Sequence, residues 1–138
     1  MELGIPAVSR LWSKRYDGEA ARPLVFWGTS ITQGACASRP GMVHTAILGR
    51  RLDRPVMNFG FSGNGRMEPE VARLISEIDA AIYVIDCCPN LEGEQVRQRI
   101  GPLVAILREK RPDTPILLVE DRNYADAFLV PERKSRND

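Results

Sequence analysis

Histidine is nearly absent: the 138 residues hold one, His44. That excludes a His-rich metal site, and serine–histidine catalysis within the chain would have to use His44. An excess of one charge sign is missing as well, with 19 Lys and Arg against 18 Asp and Glu, for a formal net charge of +1. Proteins that hold nucleic-acid phosphates or an anionic membrane surface need a basic excess, so neither partner is expected. No apolar run approaches the ~20 residues that span a bilayer, and the opening MELGIPAVSR lacks the apolar core of a secretion signal. A soluble, cytoplasmic protein is the expectation. Three cysteines cannot all pair, and Cys87 and Cys88 are neighbours, between which a bridge is strained. Buried thiols in a reducing compartment fit this pattern.

What the chain does contain is a globular composition, 43% hydrophobic and 27% charged. Its length suits one domain, since compact domains cluster at roughly 100 to 150 residues. From residue 22 onward, short apolar runs alternate with helical patterns. Residues 23–27, 55–59, 80–86 and 115–120 read as strands, the third apolar throughout, as a central parallel strand should be. Between them, residues 42–52 place Ala46, Ile47 and Leu48 near Leu52 at helical spacing. A second helix opens at Glu68-Pro69-Glu70, with Val71, Leu74, Ile75 and Ile78 lining one face. The third runs from about 92 to 110, and Gly101-Pro102 predicts a kink or a fresh start there. Trp12 and Trp27 read as packing residues, Trp27 the more buried. Residues 131–138 (PERKSRND) read as a polar, frayed tail. The order β-α-β-α-β-α-β implies a parallel sheet with helices on both faces. In such sheets ligands bind beyond the carboxyl ends of the strands, where the strand order reverses.

Three loops leave carboxyl ends: GTSITQG (28–34), GFSGNG (60–65) and DCCPN (86–90). Ser30 sits just past the first strand, at the start of a helical turn whose N–H groups favour negative charge. Glycines in the second loop allow close backbone approach to a ligand, and Asn90 brings an amide donor. Together they would form a nucleophile with an oxyanion hole. Each has a plainer reading: Ser30 as a helix N-cap, Gly63 as a turn residue, Asn90 as the cap of the next helix. Asp86 reads as an acceptor for loop N–H groups, and Cys87-Cys88 as core thiols without the two-residue gap of a redox or zinc pair. GFSGNG has its glycines in the wrong order for a dinucleotide fingerprint, and GTSIT lacks the second glycine of a G-x-S-x-G elbow.

GTSITQG, NFGFSGNG and DCCPN resemble the first three blocks of the SGNH, or GDSL-like, hydrolases, and especially a carbohydrate-esterase-like branch that carries GTSIT in place of GDS. The resemblance covers about residues 23–123. It implies an α/β, flavodoxin-like three-layer sandwich and a serine esterase that needs no cofactor. The substrates it implies are small acyl esters, including acetyl groups on sugars. It carries the nucleophile onto Ser30, an oxyanion N–H onto Gly63 and an oxyanion amide onto Asn90. Two departures stand out. Thr29 replaces the usual Asp, and the chain has no Asp-x-x-His, the block that would follow a fifth strand. His44 is the one substitute base, without an evident orienting carboxylate. The layout expected is an extension over 1–22, as from a preceding domain, an incomplete hydrolase domain over 23–130 and the tail. A sheet lacking its fifth strand would expose an edge or an apolar face, so self-association is expected. The rival expectation is a catalytically impaired fragment, or a small-ligand-binding module using the same loops.

Overall fold

The computed structural model describes residues 4, 6–10 and 12–121. Its sheet has four parallel strands, β1 (Leu24–Gly28), β2 (Val56–Gly60), β3 (Ile82–Asp86) and β4 (Ile116–Leu118), in the order β2-β1-β3-β4. Chain order reverses between β1 and β3, because the chain steps from β1 to β2 on one side and then crosses to β3 on the other. Gly28 is level with Gly60 on β2 and with Asp86 on β3. Three strand ends are therefore flush, and the loops leaving them start from one line.

The helices are α1 (Ser30–Gln33), α2 (His44–Leu52), α3 (Pro69–Ser76) and α4 (Gly93–Lys110). Alternation along the strands sends Val25, Trp27, Tyr83 and Ile85 to one face, where they pack with Ala72 and Ile75 of α3 and Leu103 and Leu107 of α4. Leu24, Phe26 and Val84 point to the opposite face, against Leu48 of α2. The result is the α/β three-layer sandwich expected. Complete burial of a Leu or Ile side chain such as Leu103, Leu107 or Ile85 contributes roughly 1.5–3 kcal/mol, so the α3–α4 side carries most of the hydrophobic stabilisation.

Several local expectations change. The 42–52 helix divides into a 3-10 turn (Pro40–Met42) and α2, so His44 becomes the first residue of its helix. Leu52 and Leu74 are exposed, and Trp12 is 80% exposed rather than packed into the core. In α3 the buried stripe is Ala72, Ile75 and Ser76, which turns Leu74 outward at 65% exposure. No break occurs at Gly101-Pro102, where α4 is continuous. Both residues lie on its exposed side, where water can satisfy the Gln98 carbonyl that Pro102 cannot reach. Trp27 is fully buried, as expected. The tail at 131–138 lies outside the described residues.

Candidate active site

Thr29 is extended, and its Oγ1 accepts the Ile31 N–H at 3.3 Å, which makes Thr29 the N-cap of α1. Ser30 is thus the first helical residue rather than the cap, and its plainer reading falls. Ser30 is half-buried, and its hydroxyl makes no hydrogen bond to any described residue. Its carbonyl accepts the N–H groups of Gly34 (3.0 Å) and Ala35 (2.9 Å), and Gly34 ends the turn at φ +99°.

The second loop is pinned at its root by the Phe61 N–H, which donates to the Gly28 carbonyl at 3.0 Å. A tight turn follows, closed by the Asn64 N–H on the Phe61 carbonyl at 3.1 Å. Gly63 occupies that turn at φ +69° with open space around its missing side chain, so its N–H lies at an exposed rim. Gly65 is also at φ +69° but buried, and a side chain there would overlap the Gly28 carbonyl. The third loop ends in a 3-10 turn (Cys88–Asn90). Asn90 does not cap α4, because Glu92 does so through a reciprocal capping box with Gln95. Instead the Asn90 side-chain amide donates to the Asn64 carbonyl, tying the third loop to the turn that carries Gly63. An amide nitrogen has two hydrogens, so this tie uses one of two donors.

His44 is exposed, and its ring meets Phe26 edge-on, with centroids 6.0 Å apart and planes at 79°. Phe26 precedes the end of β1 by two residues, roughly 7 Å along the strand. Among the described residues, no carboxylate hydrogen-bonds the imidazole.

Three side chains that sequence reading did not assign to the site hold it together. Thr32, fully buried, donates its hydroxyl to Asp86 Oδ2 at 2.8 Å. Asp86, expected as an acceptor for loop N–H groups, accepts this hydroxyl from the turn after β1. Asn58 of β2 donates to the Thr32 carbonyl (2.7 Å) and Thr45 Oγ1 (3.0 Å), while its own Oδ1 accepts the Gly60 N–H (2.9 Å). The available signal was a lone amide inside the apolar run 55–59. Burial pushes the Cys87 thiol up to about 12, partly offset by a hydrogen bond from the Met67 backbone, and Sγ donates to the Trp27 carbonyl at 3.6 Å. Burial, then Asp121 and Asp86, raise Cys88 too. Neither is a thiolate near neutral pH, so Cys87 is the core thiol expected and Cys88 is half-buried, whereas Cys36 is exposed. No cluster of three metal-ligating side chains occurs among the described residues.

A parallel α/β sandwich with serine, glycine and asparagine on three level strand-end loops defines a domain of the SGNH class. The chain belongs to the GDSL-like lipase/acylhydrolase family, whose model matches residues 21–138. A crystal structure of a GDSL-like lipase from Bacteroides ovatus is 37% identical, with a TM-score of 0.80 over 87% of this chain and 36% of that one. AlinE4, an SGNH-hydrolase family esterase, shares the fold at 19% identity and a TM-score of 0.65, covering 84% of this chain and 66% of its own. The salicylyl-acyltransferase SsfX3 from a tetracycline biosynthetic pathway shares it at 23% identity and a TM-score of 0.58, over 72% and 32%. The chain thus spans about a third of the Bacteroides protein's length. No curated protein matches it.

Proposed function

We propose that this domain carries the nucleophile and oxyanion hole of a serine ester hydrolase acting on small acyl esters, with acetyl groups on carbohydrate as the substrate class. The observation that supports it most is local: Thr29 caps α1, and the Ser30 hydroxyl at the mouth of the sheet's switch point has no hydrogen bond among the described residues. In this reading Ser30 Oγ attacks the ester carbonyl and gives its proton to a base. The N–H groups of Ser30 and Gly63 and the Asn90 amide stabilise the tetrahedral oxyanion. Collapse breaks the ester C–O bond, the alcohol leaves with a proton, and water then hydrolyses the acyl-enzyme. The family's Asp-x-x-His is absent from the sequence, so His44 is the imidazole proposed as base within this chain.

The second reading is an impaired or ligand-binding module, favoured by His44 packing on Phe26 without a hydrogen bond to Ser30. Turnover of p-nitrophenyl acetate by the chain, by Ser30→Ala and by His44→Ala separates the two, alongside fluorophosphonate labelling. Hydrolysis lost in Ser30→Ala, with the label on Ser30, supports the esterase. Activity surviving Ser30→Ala sinks the nucleophile, and activity unchanged in His44→Ala removes the base. No labelling favours the binding module. Self-association through a sheet edge belongs to the same proposal: Met57 on β2 and Leu117 and Leu118 on β4 are 41–51% exposed along the two edges. A monodisperse monomer in sedimentation would end it.

A further inference from the structure

A four-residue helix has no stability of its own, since isolated helices shorter than ~12–15 residues are marginal in water. Yet α1 has to hold Ser30 in one orientation relative to the two loops that face it. Its contacts show what fixes it. On one side, Asn58 of β2 donates to the Thr32 carbonyl at 2.7 Å. On the other, the Thr32 hydroxyl donates to Asp86 Oδ2 at 2.8 Å, crossing the switch point from the turn after β1 to the last residue of β3. The strand ends leave room for this crossing because residue 28 has no side chain: a Cβ there would overlap Thr32 Oγ1 and lie 2.7 Å from the Asp86 carbonyl. Asp86 also begins the DCCPN loop, four residues before Asn90.

We infer that the Thr32–Asp86 pair is a positioning clasp, which sets the turn bearing Ser30 against the loop bearing Asn90. Neither residue touches substrate; both act through the orientation of Ser30. A hydrogen bond to a carboxylate is among the stronger neutral-to-charged kinds, and although Asp86 is half-buried, the Thr32 donor is fully buried, so water does not reach the hydroxyl. The clasp deepens the esterase reading through its kinetic consequence, but its effect on the turn is independent of any reaction.

The test uses the whole chain and three variants: Thr32→Val, which keeps the shape and deletes the donor, Thr32→Ser, which restores it, and Asp86→Asn, which keeps an acceptor. Two readouts are taken. The first is amide hydrogen exchange at Gln33, Gly34 and Ala35, whose N–H groups close the turn on the Thr29 and Ser30 carbonyls. Thr32→Val should speed exchange there at least tenfold while Trp27 and Val84 in the strands stay within twofold, with Asp86→Asn between it and the parent. Thr32→Ser should return to the parent value. The second is p-nitrophenyl acetate kinetics, where Thr32→Val should lower kcat by about 10- to 100-fold with KM within twofold, as expected for a misoriented nucleophile. Faster turn exchange in Thr32→Val on a chain that hydrolyses nothing supports the clasp and condemns only the esterase. Unchanged exchange overturns the clasp whether or not the chain is active. So does uniform acceleration across strands and turn, or a Thr32→Ser variant as disturbed as Thr32→Val.

Discussion

Two glycines at the candidate site should respond to the same substitution by very different amounts, because different physics requires each. Gly28→Ala places a Cβ 2.9 Å from Thr32 Cβ and 2.7 Å from the Asp86 carbonyl oxygen, and over the Thr32 hydroxyl itself. The methyl has to expel Thr32 from its seat. Forced overpacking costs roughly 1–3 kcal/mol. Losing a hydrogen bond to a charged group adds about 1.5–3 kcal/mol. The expected sum, about 2.5–6 kcal/mol, is a large part of the 5–15 kcal/mol that stabilises a typical domain. At about 4 °C per kcal/mol, Tm should fall by roughly 10–24 °C. Gly63→Ala meets no atom within 4 Å, and its cost is the φ of +69° alone, about 1–2 kcal/mol. Urea unfolding followed by tryptophan fluorescence measures both, Trp27 being buried in the core and Trp12 exposed in either state. Equal destabilisation by the two substitutions, or a neutral Gly28→Ala, would refute the claim that the Thr32 hydroxyl fills the space beside Gly28.

The buried Cys87 gives a pH dependence with a definite sign. Its folded value, about 12, lies above the ordinary 9.0, so the unfolded chain gives up the proton first. The stabilisation is whole below pH 9 and is lost as pH rises toward 12, by about 2 kcal/mol at pH 10.5. Tyr83 is raised by burial as well, so the comparison is with Cys87→Ala, whose stability should fall less steeply between pH 8.5 and 10.5; equal slopes would contradict the assignment. Asn58→Ala strips partners from the Thr32 carbonyl, the Thr45 hydroxyl and the Gly60 N–H, and should cost about 1–3 kcal/mol in urea unfolding. Leu74→Lys should change stability by no more than about 0.5 kcal/mol, while Leu103→Ala on the α3–α4 side should cost about 2–5 kcal/mol.

The strands and their order along the chain were legible because they are short apolar runs bounded by Gly, Pro and polar residues, a signal that needs no knowledge of partners. The same periodicity misplaced Leu74. Val71, Ile75 and Ile78 of the expected stripe do pack on the core, and a small rotation of α3 brings Ala72 and Ser76 inward and leaves Leu74 outside. Pro102 was over-read in the opposite sense: a proline disrupts a helix through the carbonyl it leaves unpaired, and the cost falls when that carbonyl faces water. At the site, the apolar runs and their stops marked the three loops that carry Ser30, Gly63 and Asn90. The hydrogen bonds that join them were hidden, since Thr32 and Asp86 are 54 residues apart and nothing in either's local sequence names the other.

The Thr29 departure has a physical explanation in the same turn. A family pattern with Asp after the first glycine suggests a carboxylate with a role of its own, and its replacement reads as a defect. The structure shows the position as an N-cap: an extended residue whose side-chain oxygen accepts the Ile31 N–H. Asp and Thr both serve there, Asp somewhat better. What changes is charge. Thr29 is fully buried, and an aspartate in its place would put a second carboxylate near Asp86, which already lies beside Gly28 in the neighbouring strand. With Asp86 committed to Thr32, a neutral cap avoids burying two like charges at one strand end, where each would raise the cost of ionising the other. Thr29 and Asp86 are therefore best understood together: the carboxylate ends β3, the hydroxyl cap follows β1, and the turn carrying Ser30 is held between them.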